Sequence, residues 1–158
     1  MTSNKRLEEY LDWHKGKPSL DGVDFSNLNL SMKDFSNVNF LCANLENVNL
    51  EGADLYGAYL CDANLKNAKL KRSYLKGANL RNANLEGADL RWAYLNGANL
   101  EGANFRGAKL EGAYFAGANL RHADFQGAKI KCAFLAGADL RYTGIQHLVT
   151  NPYNDRAI

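Results

Sequence analysis

The residues of this chain that could do chemistry are three histidines and three cysteines, and their spacing matches no catalytic or metal-binding motif. His14, His122 and His147 stand far apart, without a cysteine or carboxylate at the spacing of metal ligands. No Ser-His-Asp or Cys-His arrangement is supported, and the glycines recur every five residues instead of forming a phosphate-binding loop. We therefore expect a protein that is not an enzyme and has no metal or cofactor.

A five-residue repeat occupies most of the chain. From Phe25 to Ile145 every fifth residue is Leu, Phe or Ile, the residue two places earlier is Ala in 18 of 25 units, and the residue between them is Asn or Asp in 16. This small-polar-large alternation directs the small and large side chains inward and the polar one outward. Glycine is frequent two places after the large residue, where a tight turn needs a positive φ. Each unit is therefore predicted to form one short extended segment and one bend.

The outward residues set the number of units in each coil. Similar residues recur at intervals of 20, as in the glycines at 57, 77, 97, 117 and 137. This interval predicts four units per coil and about six coils, or a rod roughly 30 Å long at about 4.8 Å per coil. Because one unit cannot bury its own apolar residues, stacked coils must bury them together.

Units such as Ala53-Asp54-Leu55-Tyr56-Gly57 and Ala98-Asn99-Leu100-Glu101-Gly102 resemble those of the pentapeptide repeat family. The resemblance covers residues 23–145 and implies the family's right-handed quadrilateral β-helix, an all-β solenoid. It implies little about function, beyond a non-enzymatic role as a protein-interaction module or scaffold. An alternative role known among relatives is DNA mimicry, in which the protein binds or protects a type II topoisomerase such as gyrase.

The domain organisation has three parts. Residues 1–18 are predicted to form a short N-terminal α-helix (3–15) that caps the solenoid, or alternatively a docking helix anchored by Trp13. Residues 19–145 form the β-helix. Residues 146–158 form a C-terminal cap or tail, which could instead make a homodimer. Lys33 occupies an inward slot of the first full coil, so we expect that coil to be distorted or Lys33 to reach Asp34 or a carbonyl.

The best candidate for a binding surface is an aromatic strip on one face of the rod. It consists of the outward residues Tyr74, Tyr94, Tyr114 and Phe134. Tyrosine suits an interface because it combines a large contact area with a hydrogen bond, although stacked aromatic neighbours also stabilise a sheet. Secondary candidates are Trp92 at an outward corner and the aligned Arg81, Arg121 and Arg141. A row of asparagines (Asn44, Asn64, Asn84 and Asn104) is expected to bond within itself and to the turns.

The net charge of +2 conceals an uneven distribution. Residues 19–65 contain seven acids and one base, whereas residues 66–145 contain six acids and thirteen bases. Duplex DNA carries about one charge per 1.7 Å, so only the first two coils approach the charge density of a DNA mimic. Direct nucleic-acid binding is not expected either, because the bases do not form one stripe. The expected partner is another protein, and head-to-tail association of the acidic and basic ends is a further alternative.

The chain shows no sign of a membrane or secretory destination. It has no apolar run of membrane-helix length, and its first residues lack the apolar core of a signal peptide. Cys42 and Cys61 fall on adjacent coils and could form a disulfide, but the odd number of cysteines favours free thiols. We therefore expect a cytoplasmic protein without membrane contact.

Overall fold

The computed structural model describes residues 19–145, which form a four-sided coil of five-residue units. Every bridge between units is parallel and joins residues 20 apart, from Ser19–Asn39 to Asn119–Asp139. The bridges are single residues, at position 19 and every fifth residue up to 139. Residues 19–145 contain no helix, and so none that could cross a membrane. The predicted coil of four units and 20 residues is confirmed.

Backbone hydrogen bonds within and between coils explain why the unit has five residues. In one typical unit, Asn64 donates its N–H to the preceding coil at 3.0 Å, and Leu65 donates to the following coil at 2.7 Å. Asn67 also donates to the following coil, at 2.8 Å, and Ala68 closes the turn on the Leu65 carbonyl at 3.0 Å. The fifth N–H, of Lys66, donates to the Asn64 side chain at 3.2 Å. With the outward Asn as acceptor, all five backbone N–H groups of the unit are hydrogen-bonded.

The second residue after each large apolar residue has a positive φ, between 56° and 72°. This is the conformation that the third residue of a type II turn requires. Glycine adopts it freely and Asn and Asp tolerate it, but for other residues it costs about 1–2 kcal/mol. Seven turns nevertheless have another residue there, namely Met32, Cys42, Arg72, Trp92, His122, Cys132 and Tyr142.

The core is a stack of Ala and Leu, with Phe near both ends. Leu85 and the other centres of the middle coils are fully buried. Phe35 and Phe40 pack edge to face at 5.4 Å, and Phe105 stacks on Phe125 at 5.0 Å. Ser73 is the only buried polar residue of the described range, and its hydroxyl donates to the Leu70 carbonyl at 2.7 Å.

Lys33 corrects one expectation from the sequence. Its side chain is exposed although its slot is inward in the later coils. Its carbonyl still accepts the Asp54 N–H at 2.9 Å, so the coil is not distorted. Burying an ammonium group without a partner costs much free energy, which explains why this side chain is exposed to solvent. The predicted helix over 3–15 and the tail 146–158 lie outside the described residues.

The outward residues define four faces, which follow one another in chain order around each coil. The asparagine face contains residues 24, 44, 64, 84, 104 and 124, and the lysine face contains residues 29, 49, 69, 89, 109 and 129. The aromatic face contains residues 34, 54, 74, 94, 114 and 134, and the fourth face contains residues 19, 39, 59, 79, 99, 119 and 139.

Candidate interaction surface

The four predicted aromatic residues form one continuous stack on the aromatic face. The ring centroids of Tyr74 and Tyr94 lie 5.0 Å apart, as do those of Tyr94 and Tyr114, and Phe134 follows 4.6 Å beyond Tyr114. Neighbouring rings are parallel within 4°. The spacing follows from the coil, because each residue pairs with the one 20 positions later in a parallel bridge.

The stack remains open to solvent along its outer side. Tyr74 is 51% exposed, Tyr94 37% and Phe134 38%, whereas Tyr114 is only partly exposed. The inner rings of the stack contact a neighbour on both faces, so the surface that they offer consists mainly of ring edges and tyrosine hydroxyls. Aromatic edges and hydroxyls suit contact with a protein because they combine apolar area with hydrogen bonding.

Trp92 stands at the corner between the lysine face and the aromatic face, and its indole lies against the next coil. A Cβ added to Gly112 would meet the Trp92 ring at 2.5 Å, so the indole occupies the space that the glycine leaves empty. Trp92 is 46% exposed and has a φ of 60°. Tyrosines flank it, since Tyr94 follows it by two residues and Tyr114 follows Gly112 by two residues. The corner therefore widens the aromatic face by one ring.

The packing of Trp92 follows a rule that sequence reasoning missed. The large turn residue leans toward the following coil, where the glycine 20 residues later makes room for it. Met32 lies over Gly52 in the same way, with its sulfur 2.5 Å from the Cβ position. An interval of 20 between a bulky turn residue and a glycine was the signal in the sequence that could have revealed this.

The repeats and the coil geometry together identify the protein's family. The sequence profile described as pentapeptide repeats matches the chain in eight copies, over residues 19–55, 39–77, 73–112, 83–121 and 118–147. The chain belongs to the pentapeptide repeat family. Its fold is the right-handed quadrilateral β-helix of these proteins, as the sequence predicted. A search of the curated proteins gave no match.

Several solved pentapeptide repeat structures resemble the chain. A protein of the Arabidopsis thaliana thylakoid lumen is 33% identical, with a TM-score of 0.58, over 59% of this chain and 65% of its own length. The match thus spans just under two thirds of that protein. HetL of the cyanobacterium Nostoc sp. strain PCC 7120, which is involved in heterocyst differentiation regulation, is 23% identical over 90% of this chain and 94% of its own, with a TM-score of 0.47. Trypsin-treated QnrB1, a plasmid-mediated fluoroquinolone resistance protein, is 18% identical over 81% and 80%, with a TM-score of 0.48.

The two ends of the aromatic stack differ in charge. Lys71 and Arg72 precede Tyr74 at one corner, and Lys76 follows it at the other. None of these three cations forms an ion pair with a carboxylate of residues 19–145. The units of Tyr114 and Phe134 are followed instead by Ala-Gly corners, at 116–117 and 136–137. Since Lys131 precedes Phe134 as Lys71 precedes Tyr74, the stack is flanked by three cations at the Tyr74 end and by one at the Phe134 end.

The predicted arginines Arg81, Arg121 and Arg141 share one corner, but it does not border the aromatic face. They lie between the fourth face and the asparagine face, with Glu101 between the first two. Arg141 donates hydrogen bonds to Asp139, which lower the pKa of that carboxyl to about 2. The Nε of Arg121 is buried without a partner among the described residues. These arginines therefore belong to a separate surface.

Two exposed tyrosines near the aromatic face were not selected from the sequence. Tyr56 is 52% exposed at the corner after Asp54, and Tyr59 is 54% exposed on the fourth face. The signal for Tyr59 was its outward slot, where Asn or Asp is usual. Together, Tyr56 and Tyr59 extend the exposed aromatic surface from the aromatic face onto the fourth face, one coil before Tyr74.

The asparagine row is satisfied internally, as expected. The side-chain N–H of Asn64 donates to Asn44, that of Asn84 to Asn64, and that of Asn104 to Asn84, at 3.1 to 3.3 Å. Each side-chain oxygen also accepts the N–H two residues later, as Asn84 does from Glu86 at 3.2 Å. With these acceptors engaged, the row stabilises the coil and offers little to a polar ligand.

The cysteines of the described residues are free thiols. The Cys42 N–H donates to the Cys61 carbonyl at 3.0 Å, so the two residues do lie on adjacent coils. Burial raises the pKa of the Cys61 thiol, whose sulfur donates to the Asn79 carbonyl at 3.9 Å. Among residues 19–145 no cluster of three or more His, Cys, Asp or Glu side chains could hold a metal ion.

Proposed function

We propose that this pentapeptide repeat protein is a non-enzymatic interaction scaffold whose aromatic face binds another protein. The observation that supports this is the exposed stack of Tyr74, Tyr94, Tyr114 and Phe134. In most units an outward Asn or Asp accepts the N–H of the residue two places later, and a phenyl ring offers no such acceptor. This turn hydrogen bond is therefore absent from four successive coils of the aromatic face.

The stability of the stack does not by itself account for this exchange. A cross-strand aromatic pair contributes about 0.2–1 kcal/mol, and a lost hydrogen bond costs about 0.5–1.5 kcal/mol. The two effects roughly offset each other. What the exchange adds is an apolar surface with hydroxyl groups, which is the composition of protein-binding sites.

The test is a paired pull-down from lysate of the native host, with the partner identified by mass spectrometry. The variant carries Tyr94→Lys and Tyr114→Lys, and the matched control carries Asn79→Lys and Asn99→Lys on the fourth face. Lysine fits an outward slot, as Lys69, Lys109 and Lys129 show. A partner retained by the control and lost with the tyrosine variant supports the proposal. A partner retained by all three proteins contradicts it.

The alternative function is DNA mimicry directed at a type II topoisomerase. It is favoured by the seven acids against one base in residues 19–65. The charge reverses beyond Lys66, so a mimic would present an acidic length of only about 10 Å. Gyrase supercoiling that does not change when the protein is added would eliminate this alternative.

A further inference from the structure

The geometry of the aromatic stack restricts what can bind to it. A nucleic-acid base stacks on a free aromatic face, but Tyr94 and Tyr114 already have a parallel ring on both faces. An α-helix packs by inserting side chains between those of its partner, and a continuous stack offers no such gaps. The occupant must instead lie along the ring edges, parallel to the solenoid axis.

The repeat distance of the stack matches one backbone conformation. Two steps of the stack cover about 10 Å, given centroid spacings of 5.0 Å from Tyr74 to Tyr94 and from Tyr94 to Tyr114. A polyproline II helix rises about 9.3 Å per turn of three residues. A β-strand instead repeats each side about every 6.7 Å, which fits neither one step nor two. Of these two extended conformations, the polyproline II helix is the one that would bring equivalent side chains onto every second ring.

The polyproline conformation also suits the chemistry of the surface. Aromatic-lined grooves recognise proline-rich segments because these are already extended and lose little conformational entropy on binding. Trp92 borders the stack at one corner, held against Gly112 although its positive φ costs free energy. A strained, half-exposed tryptophan beside a tyrosine stack provides a second wall for such a segment.

Charge fixes the orientation of the occupant. The cations Lys71, Arg72 and Lys76 flank the Tyr74 end and have no ion-pair partner among residues 19–145. The next outward residue toward the N-terminus is Asp54, so an acidic group is favoured beside Tyr74 and disfavoured beyond it. At the Phe134 end Lys131 precedes the ring and Ala136 and Gly137 follow it, so that end has one flanking cation where the Tyr74 end has three.

We propose that the occupant of the aromatic face is a proline-rich segment of a partner protein, in the polyproline II conformation, with an acidic residue at the Tyr74 end and its prolines along Tyr94, Tyr114 and Phe134. This inference rests on the proposed function and specifies the partner for the same surface. It predicts that the binding affinity depends on two features of the segment: the three-residue spacing of its prolines and the position of its acidic residue. Each feature can be varied separately in a synthetic peptide.

The test is a calorimetric titration of the full chain with synthetic peptides. One peptide has two glutamates followed by Pro-Pro-Ala triplets, and it is made in both chain directions. A second has the same composition in an order that breaks the three-residue spacing, and a third has lysines in place of the glutamates. The proteins are wild type, the Tyr94→Lys, Tyr114→Lys variant, its Asn79→Lys, Asn99→Lys control, and a Lys71→Glu, Lys76→Glu variant.

Wild type and the control are expected to bind the acidic triplet peptide, and the tyrosine variant to bind it about tenfold or more weakly. The Lys71→Glu, Lys76→Glu variant should lose affinity for the acidic peptide and gain it for the lysine peptide, a rescue that a merely damaged fold cannot give. The proposal would be overturned if the second peptide, without the three-residue spacing, bound with equal affinity. Displacement of the acidic triplet peptide by oligo-deoxythymidine would overturn it as well. Failure of every peptide, alongside a partner captured through the tyrosines, would overturn it and leave the proposed function intact.

Discussion

A single methyl group at Gly112 tests how Trp92 is held. A Cβ at this position would lie 2.5 Å from Cε3 of the indole, whereas a Cβ at Gly97 would meet nothing within 4 Å. The two glycines have similar φ values, 69° and 64°. Gly112→Ala and Gly97→Ala therefore share the cost of alanine at a positive φ and differ in the collision with Trp92.

The size of the difference follows from the burial of Trp92. We expect Gly97→Ala to lower the free energy of unfolding by about 1 kcal/mol. Trp92 is 46% exposed, so about half of a side chain that can bury roughly 250 Å² is in contact. At about 25 cal/mol per Å², losing all of that contact costs about 3 kcal/mol. Since displacement can be partial, Gly112→Ala should be less stable than Gly97→Ala by about 1–3 kcal/mol.

The assay is urea unfolding followed by circular dichroism, with tryptophan fluorescence as a second readout. A Trp13→Phe background leaves Trp92 as the only tryptophan. Its emission should shift to longer wavelength in Gly112→Ala, because the indole moves into water, and stay unchanged in Gly97→Ala. In a Trp92→Ala background, Gly112→Ala should cost no more stability than Gly97→Ala, because no indole remains to be displaced. Equal stability losses in the two alanine variants, without a fluorescence shift, would refute this account of the corner.

Three further predictions concern the core and one ion pair. Leu85→Ala should lower the free energy of unfolding by about 2–5 kcal/mol, because the side chain is fully buried in the stack; an unchanged melting temperature would contradict this. Ser73→Ala should change stability by less than about 0.5 kcal/mol, since the Leu70 carbonyl still accepts the backbone N–H of residue 73 at 3.1 Å after the hydroxyl is gone; a larger loss in urea unfolding would show that the hydroxyl matters. Arg141 lowers the pKa of Asp139 to about 2 in the folded protein, so its contribution is complete above the ordinary carboxyl pKa of about 3.9 and is lost as the pH falls toward 2. Stability measured from pH 5 to pH 2 should therefore fall less steeply in Asp139→Asn, and parallel curves would refute the role of this pair.

Much of the fold could be predicted because the repeat constrains it at several levels. The small-polar-large alternation gave the inward and outward sides, and the 20-residue recurrence of Tyr74, Tyr94 and Tyr114 gave the coil. Lys33 shows where the pattern fails, since it has an inward slot by position but is exposed. The repeat pattern describes the average unit and assigns this position to the interior. The free-energy cost of burying an unpaired ammonium group outweighs that pattern at Lys33.

The candidate site was predictable in part. The aromatic stack followed from the coil interval, because residues 20 apart must lie about 4.8 Å apart. The position of Trp92 against Gly112 did not follow, since it depends on the direction that a side chain takes from a turn residue with positive φ. Likewise, Arg81 and Arg121 are aligned as predicted, but only the order of the faces shows that they lie away from the aromatic stack.

The outward slots that lack Asn or Asp indicate which surface residues are not explained by folding alone. An outward Asn or Asp supplies one turn hydrogen bond, so replacing it costs little and leaves the core unchanged. Such replacements could therefore occur on any face. Apart from Ser19, Tyr59 and the final slot at Gly144, they fall on the lysine and aromatic faces, at residues 69, 74, 94, 109, 114, 129 and 134. These faces meet at the corner of Trp92, a turn residue with a positive φ and an exposed side chain. Folding alone gives no reason for departures to gather around one corner, whereas a partner that contacts two adjacent faces does.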